Sequence, residues 1–105
     1  MKDYVLNLTA ENEPYLIESK SVDQNPWLGD PVPGVRYKFK FPNGYGASVI
    51  KFFGSYGWEQ DQWELAVLNE AGDICYDTPI TDDVIGFLDS DEVNEYLNEI
   101  RQLEA

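Results

Sequence analysis

The stretch VRYKFKF at residues 35–41 alternates apolar and basic side chains without a break. Successive side chains of a β-strand point to opposite faces, so this pattern predicts a strand with one buried face and one exposed face. Its apolar face comprises Val35, Tyr37, Phe39 and Phe41. Its basic face comprises Arg36, Lys38 and Lys40.

Three further strand patterns follow residues 35–41, with turn sequences between them. They are rich in β-branched and aromatic residues, which favour strands. The predicted strands span residues 47–53, 62–68 and 74–77. The turn sequences PNG at 42–44 and NEAGD at 69–73 contain Asn and Gly, which tolerate positive φ. Short connections of this kind predict an antiparallel β-meander over residues 35–77.

The C-terminal part of the chain has helical patterns. The sequence TDDV at 81–84 is typical of a helix N-terminus with acidic residues in its first turn, and Gly86 limits this first helix to one or two turns. Asp89 and Glu92 are spaced as in a capping box, which predicts a second helix. We therefore expect residues 81–104 to be helical. The apolar stripe of the second helix comprises Val93, Tyr96, Leu97, Ile100 and Leu103.

The N-terminal third has weaker patterns. Loose alternation predicts a short strand over residues 3–8. Residues 9–34 contain four prolines, each of which removes a strand hydrogen bond. We expect this segment to be irregular, with one short strand near residues 15–17.

Together these elements predict one α+β domain over residues 1–105. We expect an antiparallel β-meander of four to five strands, packed on one face by a C-terminal α-helix. The predicted core comprises Tyr37, Phe39, Phe41, Val49, Trp63, Leu65, Val67, Val93, Leu97 and Ile100.

The negative charge of the chain lies in its second half. Residues 1–51 carry six acidic and six basic side chains, whereas residues 52–105 carry fourteen acidic side chains and one basic side chain, that of Arg101. The second half therefore accounts for the whole formal charge of −13. Such a protein repels nucleic acid and anionic membranes and attracts basic protein surfaces.

The composition argues against catalysis. The chain has no histidine, which excludes Ser-His and Cys-His nucleophiles and His-ligated zinc. Two carboxylates can hydrolyse a glycoside only at a separation of about 5–9 Å, and no second catalytic signature accompanies the acidic residues. The oxygen donors Asp73, Asp77, Asp82 and Asp83 do not match a calcium-binding loop. We therefore expect no enzymatic activity, no cofactor and no bound metal.

The cysteine content indicates the compartment. The chain has a single cysteine, Cys75, which cannot form an internal disulfide. Proteins of the reducing cytoplasm keep their thiols free. We therefore expect a cytoplasmic protein, with Cys75 as a small strand residue.

The main candidate for a binding site is the polar face of the second helix. Asp91, Glu95 and Glu99 recur every four residues opposite the apolar stripe. Residues four apart rise about 6 Å along a helix, which approximates the spacing of phosphates along a nucleic-acid strand. An ordinary solvated face mixes both signs of charge, but residues 52–100 contain no basic residue. The band of negative charge also includes Asp82, Asp83, Asp89 and Glu92, and the next candidates for contact with a partner are Glu59 and Asp61.

The loop over residues 54–62 combines aromatic and acidic side chains. Tyr56 and Trp58 are residue types that anchor protein interfaces or stack on sugars, and they also serve simply to pack a loop. Both are candidate partner-binding residues. The basic face of residues 35–41, with Lys51, is expected to pair with carboxylates on neighbouring strands, such as Glu64, rather than to bind an anion.

Three segments resemble small uncharacterised acidic proteins of bacteriophages and prophages: GYGASVI at 44–50, WELAVL at 63–68 and YDTPITDDV at 76–84. The resemblance covers about residues 35–104. It implies an accessory protein inside a bacterial host, and such proteins include inhibitors of host defence that mimic nucleic acid, among them anti-CRISPR and anti-restriction proteins. It carries no functional residue over to this chain.

These observations favour a non-enzymatic binding protein. We expect it to inhibit a bacterial defence enzyme by occupying that enzyme's basic, nucleic-acid-binding surface, with a CRISPR nuclease as the favoured target. The alternative is a small structural or assembly module that oligomerises, or binds a partner, through its aromatic loop. Neither function requires direct contact with nucleic acid or membrane.

Overall fold

Five antiparallel strands form one sheet in the order of the chain, and an α-helix packs on one face of it. The computed structural model describes residues 4–21, 34–75, 78 and 84–103. The strands are β1 (Leu16–Ser21), β2 (Val35–Lys40), β3 (Gly46–Lys51), β4 (Trp63–Leu68) and β5 (Ile85–Leu88). The helix is α1 (Ser90–Arg101), and single turns of 3₁₀ helix span Glu13–Tyr15 and Trp58–Gln60. The predicted α+β fold with a β-meander and a C-terminal helix is confirmed.

The alternation in β2 sets the two faces of the sheet. Strand register places Tyr37 beside Val49 of β3, and Val49 beside Leu65 of β4. These positions face α1, so the apolar residues of three strands share one core. Nine of the ten predicted core residues are buried in this core. The tenth, Tyr37, is partly exposed and packs against it.

Helix α1 begins as its sequence predicts and ends at Arg101, before the predicted end at residue 104. The carboxylate of Asp89 accepts a hydrogen bond from the backbone N–H of Glu92 at 2.8 Å, and the carboxylate of Glu92 accepts from the N–H of Asp89 at 3.2 Å, which completes the capping box. At the other end, Asn43 in the β2–β3 turn donates to the carbonyls of Ile100 and Leu103 at 2.8 and 3.0 Å. The helix is therefore capped at its start and bonded to the β2–β3 turn at its end.

The predicted strand over residues 3–8 is wrong for its described part. Residues 4–8 form no ladder with the sheet and instead follow the edge of the core. The hydroxyl of Tyr37 donates to the carbonyl of Tyr4 at 3.0 Å and accepts from the N–H of Leu6 at 3.3 Å, and Leu6 is buried. The Tyr37 hydroxyl thus ties this segment to β2. The strand predicted near 15–17 is present as the longer β1.

The predicted helical segment over 81–104 is wrong at residues 85–88, and its residues 81–83 lie outside the described part of the chain. Residues 85–88 form strand β5, whose Ile85 and Leu88 pair with Leu65 and Trp63 of β4. The edge of β4 needs a hydrogen-bonding partner, and this need outweighs the local helical signal. In the predicted strand over 74–77, Ile74 makes an isolated bridge to Leu68, and residues 76 and 77 lie outside the described part of the chain.

A buried polar network joins the N-terminal segment to α1. The side chain of Asn94 donates to the carbonyls of Asn7 and Ser90 at 2.7 and 2.8 Å. Its carbonyl oxygen accepts from the side chain of Asn12 at 3.0 Å and from the N–H of Thr9 at 3.1 Å. Both asparagines are buried, and these bonds satisfy their polar atoms. The network holds residues 7–12 beside the helix.

Candidate protein-binding surface

The polar face of α1 presents three carboxylates to solvent. Asp91, Glu95 and Glu99 are exposed, while Val93, Leu97 and Ile100 on the opposite side are buried in the core. We call these three carboxylates the acidic helix surface. Because they recur every four residues, they lie about 6 Å apart along a helix that is fixed by caps at both ends. The arrangement is a rigid row of negative charge.

The one basic residue of this half bonds to residues outside the acidic helix surface. Arg101 donates from Nε to Asn12 at 3.0 Å and from Nη2 to Asn98 at 2.7 Å. Its guanidinium also lies 5.7 Å from the centre of the Tyr15 ring. Within the described residues, no lysine or arginine forms an ion pair with a carboxylate of α1. The charge of the row is therefore not neutralised within these segments.

Two acidic residues that the sequence did not single out extend this charge. Glu11 and Glu13 are exposed and flank Asn12, which is hydrogen-bonded to Asn94 and Arg101 of α1. They therefore lie beside the helix. The hydrogen bond between the buried side chains of Asn12 and Asn94 brings Glu11 and Glu13 to the helix. No local pattern in the sequence indicates that the two asparagines pair.

The remaining predicted acidic residues have different surroundings. Glu92 is exposed, but its carboxylate completes the capping box. Glu59 is exposed in the β3–β4 loop. Asp82 and Asp83 lie outside the described residues, so their predicted part in the surface has no structural description.

Asp61 is engaged within the protein. Its carboxylate accepts a hydrogen bond from Nζ of Lys51 at 2.8 Å, and that lysine side chain is only 2% exposed. The same ammonium lies 4.3 Å from the centre of the Trp63 ring. Asp61 therefore balances an internal charge, and it is a weaker candidate for contact with a partner than the carboxylates of α1.

The prediction that Lys51 belongs to the basic strand face is wrong. The register pairs Lys51 with Val35, so it shares the face that packs against α1. Arg36 is on the other face and donates to Glu18 of β1 at 2.6 Å. Arg36 therefore pairs across strands as predicted, but with Glu18 and not with Glu64. The carboxylate of Glu64 accepts from the N–H of Tyr56 at 3.0 Å. The hydrogen bond from Arg36 lowers the pKa of Glu18.

A cleft lined by aromatic rings lies where the β3–β4 loop meets β5. The rings of Tyr56 and Phe87 stack with their centres 6.5 Å apart, and those of Phe53 and Trp58 meet edge to face at 5.3 Å. Tyr56 is 59% exposed and Phe87 54%. The cleft has a volume of about 300 Å³, and Glu59 also lines it. We call this site the aromatic cleft. The sequence indicated Tyr56, Trp58 and Glu59 but missed the two phenylalanines.

The backbone around the aromatic cleft is unusual. Phe87 has φ of 61°, a conformation that bulky residues rarely adopt. A Cβ on Gly86 would overlap the Cβ of Tyr56, and a Cβ on Gly57 would lie 3.0 Å from the backbone nitrogen of Phe87. These two glycines allow the loop to approach β5 closely. The loop and β5 thus hold the rings at the surface, and the positive φ of Phe87 costs about 1–3 kcal/mol.

The described residues include neither a cluster of three or more potential metal ligands nor a helix of the length and apolarity that a membrane crossing requires. The chain matches no protein-family model, and no curated protein or solved structure shows a significant match to it.

Proposed function

We propose that this protein is a non-enzymatic inhibitor that binds the basic, nucleic-acid-binding surface of a bacterial enzyme. The observation that carries the proposal is the acidic helix surface, three exposed carboxylates in a row on a capped helix whose only arginine is bonded to Asn12 and Asn98. On the strength of the resemblance to phage proteins, we favour an enzyme of host defence such as a CRISPR nuclease.

The mechanism is competition with the phosphate backbone. Each carboxylate of the row takes the place of a phosphate at a lysine or arginine of the enzyme. Because such contacts release bound ions, the affinity falls steeply as the salt concentration rises. A rigid helix also avoids part of the ordering cost that a flexible acidic tail has on binding.

The first test is capture of the target from bacterial lysate. The tagged protein is used as bait, bound partners are eluted with increasing NaCl, and the eluates are identified by mass spectrometry. We expect a nucleic-acid-binding enzyme that elutes with salt. The purified pair is then tested for displacement of DNA or RNA from the enzyme.

The second test reverses the row. Changing Asp91, Glu95 and Glu99 to Lys should weaken binding to the captured enzyme by about 100-fold, since each lost contact is worth up to about 1 kcal/mol and each new lysine repels the basic surface. Circular dichroism checks that the fold is retained. Undiminished affinity in the folded triple variant would refute the proposal.

A matched pair of double variants separates position from total charge. Glu95→Lys/Glu99→Lys and Glu70→Lys/Asp73→Lys change the net charge equally, and all four residues are exposed. The second pair lies in the turn after β4. We expect only the helix pair to reduce binding and competition with nucleic acid. Equal losses would indicate a general charge effect.

The aromatic cleft supports a second candidate function, that of an assembly module. The exposed and stacked rings of Tyr56 and Phe87 suit a contact between copies of this chain or with an assembly partner. This function predicts association that survives high salt. Sedimentation of the wild-type protein over a range of concentrations tests it, and Tyr56→Ala should dissociate any oligomer.

A further inference from the structure

The size of the aromatic cleft suits a single long side chain. Its volume of about 300 Å³ is at the lower limit of sites that bind small molecules. It is an open cleft lined by residues of the β3–β4 loop, three of them aromatic, and by Phe87 of β5. Preorganised rings bind with little ordering cost, because Gly57, Gly86 and the strained Phe87 already hold them in place.

The chemistry of the cleft favours a cation. Tyr56 and Phe87 are exposed, and the face of an aromatic ring carries the negative side of its quadrupole, which attracts cations. Glu59 adds an exposed carboxylate at the same site, and the whole chain has a net charge of −13. A guanidinium fits this setting better than an ammonium, since it is planar, stacks on rings and is more weakly hydrated.

The cleft is close to the acidic helix surface. Phe87 precedes Asp91 by four residues, so their Cα atoms are at most about 14 Å apart. One partner of ordinary interface size can therefore contact both sites.

We propose that the aromatic cleft receives an arginine side chain of the basic partner that binds the acidic helix surface. This inference rests on the proposed function. The helix supplies long-range attraction, and the cleft selects arginine over lysine at one position of the partner.

The test uses two peptides of equal charge, octa-arginine and octa-lysine, as probes. Each is titrated into the ¹⁵N-labelled full chain at low salt, and backbone amide shifts are followed by NMR. With octa-arginine we expect shifts at residues 54–60 and 87 as well as along α1. With octa-lysine we expect the shifts of α1, and much smaller ones at the cleft.

Substitution of Tyr56 by Leu removes a ring and retains an apolar side chain and the backbone hydrogen bonds. We expect this variant to bind octa-arginine about 2- to 5-fold more weakly, with its affinity for octa-lysine unchanged. Ile17→Ala is the control, because Ile17 is also 59% exposed but lies on β1. It should bind both peptides like the wild type.

The outcomes separate this inference from the proposed function. Shifts confined to α1, or equal effects of both peptides on the cleft, would overturn the arginine site and leave the helix proposal standing. Cleft shifts that persist in the folded Asp91/Glu95/Glu99→Lys variant, together with full affinity for the enzyme, would support the cleft and refute the helix. Self-association abolished by Tyr56→Leu would assign the cleft to a second copy of this chain and overturn the inference.

Discussion

At the scale of single residues, the least expected feature is a lysine in the core. Lys51 lies on the face that packs against α1, where its ammonium contacts the carboxylate of Asp61 and the ring of Trp63. Burial of an ammonium is unfavourable unless an opposite charge and hydrogen bonds compensate for it. Asp61 has φ of 61°, which an aspartate tolerates better than most residues. The pair thus fixes the loop that carries the aromatic cleft.

We predict that Asp61→Asn destabilises the protein by about 1–3 kcal/mol, because the amide oxygen can still accept the hydrogen bond but no longer neutralises the buried ammonium of Lys51. Asparagine keeps the volume of the side chain and tolerates positive φ, so the change isolates the charge. Urea unfolding followed by tryptophan fluorescence measures it. Glu59→Gln, an exposed change in the same loop, should leave the midpoint unchanged, and an equal loss in both variants would contradict the role given to Asp61.

The ion pair between Glu18 and Arg36 makes the stability of the fold depend on pH. The hydrogen bond from Arg36 holds the pKa of this carboxyl below its usual value, with smaller contributions from the charges of Arg36, Lys38 and Lys20. The pair therefore stabilises the fold fully above the pKa of the unfolded chain, and this stabilisation is lost as the pH falls through the lowered pKa of the folded protein.

Side-chain ¹³C NMR titration should find Glu18 ionised below the range of an ordinary glutamate, and Arg36→Ala should raise its pKa. Since about two-fifths of both side chains is exposed, the effect on global stability should be small. A pKa that does not respond to Arg36→Ala would contradict the assignment.

At the scale of elements, α1 is held by side chains from distant parts of the chain. Asn43 caps its last turn from the β2–β3 hairpin, and Asn12 and Asn94 attach the N-terminal segment to its side. The helix has 12 residues, a length at which an isolated helix is only marginally stable. These tertiary contacts therefore stabilise it. This rigidity keeps the acidic helix surface in a fixed spacing.

We predict that Asn94→Leu destabilises the protein by about 2–4 kcal/mol, because the side chain of Asn12 loses one of its acceptors, the N–H of Thr9 loses its acceptor and the carbonyl of Asn7 loses the Asn94 donor. Hydrogen exchange should show faster opening of residues 7–12 before global unfolding. The comparison is Asn98→Leu, which removes one contact to Arg101 at a less buried position and should have a smaller effect. Unchanged exchange at residues 7–12 would contradict the proposed anchoring.

At the scale of the whole molecule, the net negative charge lies in the second half of the chain. Most carboxylates among the described residues form no ion pair. The two ion pairs found there use Arg36 and Lys51, both from the neutral first half. The acidic second half therefore repels itself, which destabilises the compact state while keeping the protein soluble. A basic partner would relieve that repulsion on binding.

We predict that the midpoint of thermal unfolding rises as NaCl is added from 10 to roughly 500 mM, because screening weakens like-charge repulsion. The Asp91/Glu95/Glu99→Lys variant has a net charge of −7, since each change adds two positive charges, and its midpoint should depend less on salt. Differential scanning calorimetry measures both. Equal salt dependence in the two proteins would show that the repulsion lies elsewhere.

The sequence by itself determined the features that depend on neighbouring residues. Alternation in residues 35–41 defines β2 and its buried face, and the spacing of Asp89 and Glu92 defines the start of α1. The exposed carboxylates of the helix follow from the same periodicity. These signals are local, because strand pleating and helical caps involve residues only a few positions apart.

Only the tertiary structure decided which segments meet. β5 exists because β4 needs a partner along its edge, and the strand register turns Lys51 inward toward Asp61. The aromatic cleft likewise requires that Phe87, predicted in a helix, be placed beside Tyr56 across a close approach at Gly86. These contacts join residues far apart in the chain, and their free energies depend on burial and hydrogen bonding that no local pattern encodes.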